Sequence, residues 1–282
     1  MKLDWLLYGV ALAVGTGVTV NWRDRSMAPP APPPPSASEI SLLASFSPFA
    51  QGAIISLPSG EGVATEIDYT GTAFSVSQSG DWIIARDSIK NCAYPFLNIG
   101  GNLGVPFKIR KSAKSEQPSH ENYEIAVTSG GTRPLPLADP ASLKIGQRAF
   151  MPGFPRGEVG EATGRFIGRT TLSKSKRFEA NESVLAWAEA GHTYGLKGSL
   201  NQLIGGPAVN TSSQVIGITL RHNPRRGRIY TSTPETLHAL ANPPSRRPDY
   251  SREETITRRN YGTVSDSFRR EYRVAQVGCL RT

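Results

Sequence analysis

Acyl transfer by a serine side chain needs a hydroxyl, an imidazole to take its proton and a carboxylate to orient that imidazole. It also needs two backbone amides to hold the oxyanion. Four histidines are available for such work: His120, His192, His222 and His238. His120 lies in the polar stretch Ser119-His120-Glu121, and His222 adjoins Pro224-Arg225-Arg226 in a turn-like segment. His238 falls on a short helical pattern. Each reads as an ordinary structural histidine. His192 precedes Thr193-Tyr194-Gly195 and is near Ser199 in sequence, the one hydroxyl and imidazole pairing that proximity suggests. Cys92 and Cys279 are too few for a zinc site or a disulfide framework. They are expected as unpaired thiols, with one bridge from tail to body as the alternative outside the cytoplasm. No P-loop, dinucleotide fingerprint, HExxH or EF-hand pattern is present, so no cofactor and no metal is expected.

The elements that would position these groups are short. The chain of 282 residues holds 28 Gly and 22 Pro, and its apolar runs are brief, which favours strands and turns over long helices. Thr72, Phe74 and Val76 alternate with Ala73, Ser75 and Ser77, and the turn Gln78-Ser79-Gly80-Asp81 leads into Trp82-Ile83-Ile84-Ala85, a hairpin pattern. A second hairpin runs from Pro207-Ala208-Val209 through a polar turn to Val215-Ile216-Gly217-Ile218-Thr219-Leu220. Arg228 to Thr231 reads as a further strand, and Thr233-Pro234-Glu235 opens a helix over Thr236 to Leu240. Val264, Phe268 and Tyr272 recur at helical spacing, so Val264 to Val274 is expected as a basic amphipathic helix packed on the body, with lipid contact as its second role.

Both ends of the chain are distinctive. Trp5 to Trp22 contains no charged residue and, at helical rise, spans roughly 27 Å, enough for a thin hydrocarbon core. No small-x-small cleavage site follows, so an uncleaved anchor is expected rather than a signal peptide. Met27 to Ser38, MAPPAPPPPSAS, reads as an extended spacer from the membrane. Charges on the two flanks balance; a short N-terminus ahead of a long body places that body in the periplasm, with residues 5–22 in a bacterial inner membrane. The formal charge is +9, of which +7 falls between Arg221 and Thr282, where 13 Arg and no Lys meet 6 acidic residues. A basic end of this kind suits an anionic surface or an acidic protein, and the anchor makes nucleic acid an unlikely partner.

The order of segments resembles the trypsin-like (chymotrypsin-fold) serine proteases in their bacterial periplasmic form. Gly71-Thr72-Ala73-Phe74-Ser75-Val76 is similar to the family's opening strand. Gly80 to Ile89 resembles the segment carrying the catalytic histidine, and Asn122 to Val127 the segment carrying the catalytic aspartate. Leu135 to Ala138, Leu143 to Gln147 and Pro152 to Pro155 look like the passage into a second barrel. Asn201-Gln202-Leu203-Ile204-Gly205-Gly206-Pro207-Ala208-Val209 resembles the nucleophile loop. The resemblance covers about Gly71 to Leu240. It implies an all-β protein of two six-stranded antiparallel barrels, with an N-terminal transmembrane helix and a short C-terminal helical tail. The expected divisions are an anchor at 1–22, a Pro-rich linker at 23–40, a first barrel at 41–130, a second barrel with closing helix at 131–242, and a basic tail at 243–282.

Carried over residue by residue, the resemblance puts Ile204 at the nucleophile, Asp87 at the general base and Glu124 at the orienting carboxylate, with Gln202 and Gly205 in the oxyanion region. Isoleucine has no atom able to attack a carbonyl, and a carboxylate with an ordinary pKa near 4 is a poor base for a serine hydroxyl. Gln202 stands where the family has glycine, and a side chain there resists the backbone conformation the hole needs. Ser88, beside Asp87, reads as a turn residue. The degenerate triad implies a non-catalytic homologue that binds a peptide or protein in the cleft between barrels. The alternatives are an active endopeptidase with a rearranged site, through His192 and Ser199, and an anionic-surface binder acting through the basic tail.

Overall fold

The computed structural model describes residues 47–58, 66–110, 121–173, 181–196, 199–241 and 253–281. The expected anchor at 5–22, the proline run and His120 lie outside the described residues. Among the described residues no helix is long and apolar enough to cross a membrane.

The strands, in chain order, are β1 (Ile55–Ser56), β2 (Glu66–Ser75), β3 (Asp81–Ala85), β4 (Tyr94–Gly100), β5 (Leu103–Pro106), β6 (Lys108–Ile109) and β7 (Tyr123–Val127). They continue with β8 (Arg148–Gly153), β9 (Gly160–Leu172), β10 (Glu182–His192), β11 (Pro207–Val209), β12 (Val215–Asn223) and β13 (Arg228–Ser232). Two helices, α1 (Pro234–Ala241) and α2 (Tyr261–Arg270), precede the last strand, β14 (Val274–Arg281). The later strands close into a six-stranded barrel ordered β10-β13-β12-β11-β8-β9. The earlier ones form an eight-stranded sheet ordered β1-β5-β4-β14-β2-β3-β7-β6, a half-barrel.

This departs from three expectations. The first unit is an open eight-stranded sheet rather than a closed six-stranded barrel, because the C-terminal segment enters it. β14 lies between β2 and β4, antiparallel to both, in register from Val274 opposite Phe74 to Arg281 opposite Glu66. The C-terminal region is therefore not a helical tail. The helical pattern ends at Arg270, Tyr272 takes a left-handed φ of 53°, and the chain leaves as a strand. Val274 to Cys279 are buried throughout, as a central strand with both faces covered requires. Cys279 also forms a disulfide with Cys92, just before β4, with Cα atoms 5.7 Å apart. The expectation of unpaired thiols fails because β14 runs antiparallel along β4 and brings Cys279 beside Pro95.

Strand alternation sorts the core into three parts. Ala73, Trp82, Ile84, Leu97, Val105, Ala126, Ala275 and Val277 fill the half-barrel. Ala149, Met151, Ala162, Leu185, Trp187, Ala208 and Ile216 fill the closed barrel. The opposite faces of the same strands, through Phe74, Ile83, Phe150, Val184 and Val209, meet in a third cluster with Leu237 of α1 and Val264 and Phe268 of α2. The helix α2 thus packs on the body, and two arginines expected on its basic face are buried in ion pairs. Arg269 donates to Glu161 Oε2 at 2.9 Å, to Asp266, and to the carbonyls of Gly153 and Gly160. Arg273, 2% exposed, donates to both carboxylate oxygens of Glu253 and lies 5.1 Å from the centre of the Phe268 ring.

A cross-link closing a loop of 187 residues removes much chain entropy from the unfolded state. Replacing both Cys92 and Cys279 by Ser should lower unfolding stability by about 3–5 kcal/mol. The check is urea denaturation of both proteins without reductant, which should show the difference, and with reductant, which should abolish it.

Candidate functional site

The loop Leu200 to Gly206 enters the contact between the two units from the closed barrel. Asn201–Leu203 form a single 3-10 turn. Its amides are turned into the loop: Leu203 N–H donates to Leu200 O at 3.0 Å, Ile204 N–H to Asn201 O at 3.2 Å and Gly206 N–H to Leu203 O at 2.9 Å. Gly205 N–H donates to Thr219 O at 2.8 Å. An oxyanion hole needs two converging amides with no other partner. The Ile204 amide is already bonded, and Gln202, the second residue of the turn, has no positive φ.

Buried Thr72 on β2 holds this loop from the other side. Its N–H donates to Ile204 O at 2.9 Å and its Oγ1 donates to Gln202 O at 2.8 Å, while Phe154 N–H donates to the same Oγ1 at 3.2 Å. Gly205 has φ of +88°, and a Cβ there would come within 2.3 Å of Thr72 O and 2.9 Å of Ala85 N. A Cβ on Gly71 would meet Ser88 Oγ at 2.2 Å and Ile204 O at 2.9 Å. These two approaches bring the Ile204 loop against the 3-10 turn Arg86–Ile89, which carries Asp87 and Ser88. Glu124 is opposite Ile84 in the β3–β7 pair, one strand away from that turn.

The side chains do not complete a proton relay. Asp87 is exposed, and the Glu124 carboxylate is taken by Arg86, whose Nε is 2.7 Å from Oε1. The Gln202 side chain reaches back to donate to Tyr69 O at 2.7 Å. Ser199 Oγ donates to Asn201 Oδ1 at 2.5 Å, and His192 Nδ1 is 3.0 Å from Glu189 Oε1. Among the described residues no hydrogen bond joins His192 to Ser199. His238 Nε2 is 2.8 Å from Ala138 O. Ser88 Oγ is buried and has no hydrogen-bond partner among the described residues, so no described imidazole reaches it.

Two carboxylates on β10 belong to no sequence motif. Glu189 on β10 is clamped between His192 and His222, with His222 Nε2 at 2.8 Å from Oε2. Leu200 N–H donates to His222 Nδ1 at 3.1 Å, so the other nitrogen carries the proton given to Glu189. Burial pushes the Glu189 carboxyl up, but the hydrogen bonds of His192 and His222, with their electrostatic attraction, outweigh it and bring the pKa to about 2. Glu182, at the start of β10, is 2% exposed and accepts from Asn122 Nδ2 at 2.6 Å and from the Tyr123 hydroxyl on β7. Its burial raises the pKa to about 7, with those two hydrogen bonds pulling the other way. The same burial, with the charge of Glu182 added, raises that of Tyr123. His192 lies three residues from Glu189, but His222 is 33 residues away and the partners of Glu182 are 59 and 60 away, beyond the reach of sequence proximity.

No family model matches the sequence, and no curated protein matches it. Solved structures do. The Rv3671c protease of M. tuberculosis in its active form is 14% identical and covers 83% of this chain and 96% of its own, with a TM-score of 0.48. The MamO protease domain from Magnetospirillum magneticum is 15% identical and covers 66% of this chain and 94% of its own, at 0.45. The HtrA-type protease AlgW with a decapeptide is 12% identical and covers 61% of this chain and 50% of its own, at 0.46. All three are proteases, and AlgW is of the HtrA type. At such identities and TM-scores the likeness carries no further argument.

The loop and the carboxylates lead to three predictions. Gly205→Ala forces a Cβ against backbone at a left-handed φ and should cost about 2–4 kcal/mol of stability. Thr72→Val leaves Gln202 O and the Phe154 amide without their partner and should cost about 1–3 kcal/mol. Equilibrium urea unfolding of both variants reads the two losses. Because the folded pKa of Glu182 lies above the ordinary 4.5, its stabilising contribution is complete below pH 4.5 and is lost as pH rises to about 7. That loss is on the order of 2–3 kcal/mol. Glu182→Gln should flatten this part of the stability profile, while leaving the acid-side loss between 4.5 and 2 that Glu189 generates.

Proposed function

We propose that this chain is a non-catalytic homologue of the trypsin-like serine proteases. It is tethered to the bacterial inner membrane through residues 5–22 and acts by binding in the cell envelope. The observation that carries the reading is the Ile204 amide, which donates to Asn201 O instead of standing open for an oxyanion. The residue types agree with it. Ile204 has no nucleophilic atom, Asp87 is an exposed carboxylate where a base would stand, and Glu124 is neutralised by Arg86. Removing the triad leaves an enzyme dependent on its oxyanion hole and substrate contacts, and the loop amides do not supply that hole. On this reading the retained scaffold serves to bind a peptide or protein ligand.

The test is a fluorophosphonate probe and a casein digest applied to the purified full-length chain. No labelling and no cleavage are expected. Labelling abolished by Ser88→Ala or Ser199→Ala would overturn the reading and favour a rearranged endopeptidase. Ser88 is the more instructive of the two, because its buried hydroxyl has no partner among the described residues.

A further inference from the structure

Arg221, Arg225 and Arg226 line an open recess of about 440 Å³ on the closed barrel, together with Leu172, Asn223 and Tyr230. All three arginines are exposed, and none has an ion pair or a side-chain hydrogen bond among the described residues. Exposed Arg259 and Arg270 are in the same state among the described residues but do not line this recess. Arg86, Arg110, Arg133, Arg169, Arg269, Arg273 and Arg281 each meet a carboxylate.

The strand explains why no carboxylate neutralises them. Arg221 and Asn223 face the recess from β12, and His222 between them turns to the opposite face, where it holds Glu189. Glu189 of β10 is thereby held on the opposite face from the recess. Arg225 and Arg226 sit on the 3-10 turn Pro224–Arg226, whose first residue is capped by Asn223 Oδ1 accepting from Arg226 N–H at 3.3 Å. Left-handed Gly227 ends the turn. Three like charges are thus presented on a short, hydrogen-bonded platform rather than on a loose tail. Guanidinium forks match the oxygens of phosphate in pairs, and three positive charges suit a group with two or three negative ones. Leu172 and the Tyr230 ring add an apolar wall for an organic moiety, and the volume falls in the range of small-molecule sites.

We propose that this recess is a binding site for a compact polyanion, a phosphate ester or diphosphate group. The site stands apart from the Ile204 loop, and its fate is independent of whether the chain cleaves peptides.

The experiment is calorimetric titration of the full-length chain with inorganic pyrophosphate at low and moderate salt. Saturable binding is expected, weaker at higher salt and reduced at least about tenfold by Arg225→Gln with Arg226→Gln, and again by Arg221→Gln. Arg259→Gln, an exposed arginine elsewhere, should change nothing. Competition by glycerol phosphate and by short-chain phosphatidic acid separates the two sources of this chemistry. Equal displacement points to a soluble ester, and preferential displacement by the lipid points to a membrane headgroup. Absence of saturable binding, an equal loss in Arg259→Gln, or stronger competition by a poly-glutamate peptide than by pyrophosphate would each overturn the proposal.

Discussion

The structure depends on the contact between β2 and the loop that follows β10, and Thr72 is its centre. One buried residue donates its amide to Ile204, donates its hydroxyl to Gln202, and accepts from Phe154. A buried hydroxyl that satisfies two backbone groups at once fixes their separation, because leaving either unpaired costs as much as a hydrogen bond. The two glycines on either side, Gly71 and Gly205, allow the backbones to close to that distance. The loop is therefore pressed onto the half-barrel, with its amides folded inward. The same contact that unites the two sheet units gives the loop a conformation with little use in acyl transfer.

A second constraint comes from the C-terminus. A strand added to the middle of a sheet, not its edge, ties the last residues to the first strands of the domain. Such a strand has neighbours on both sides and both faces buried, so it carries more of the fold than its length suggests. The covalent link from Cys279 to Cys92 and the burial of Arg269 and Arg273 against Glu161, Asp266 and Glu253 act at the same place. Buried ion pairs are weak contributors when counted against a hydrophobic alternative, but losing one partner leaves an uncompensated charge. These pairs therefore make the position of α2 and β14 specific more than they make it strong. They also take two charges of the basic end into ion pairs.

The ionisable groups near the loop show how burial divides like residues. Glu182 and Glu189 lie on one strand, seven positions apart, yet one is held near neutrality and the other well below its ordinary range. Glu182 meets a hydroxyl and an amide, which stabilise its charge only in part against desolvation. Glu189 meets two imidazoles, each placed to hydrogen-bond its carboxylate. The difference lies in the partners that the barrel brings to each position.

Much of the local structure is legible in the residues alone. The hairpin of β2 and β3, the hairpin of β11 and β12, β13 and the closing helix α1 follow from strand alternation, turn residues and a proline at a helix start. Those signals lie within a few residues of one another. The chemistry of the candidate positions is equally plain, since an isoleucine cannot attack and a carboxylate is a poor base whatever surrounds it. Only the tertiary structure decides the rest. The pairing of Cys92 with Cys279, the strand at Val274–Arg281, the capture of Glu124 by Arg86, the clamp on Glu189 and the bonded amide of Ile204 all join residues that must first be brought together by the sheet. Local pattern sets which face of a strand is apolar, and register between distant strands sets which side chains and amides meet across it.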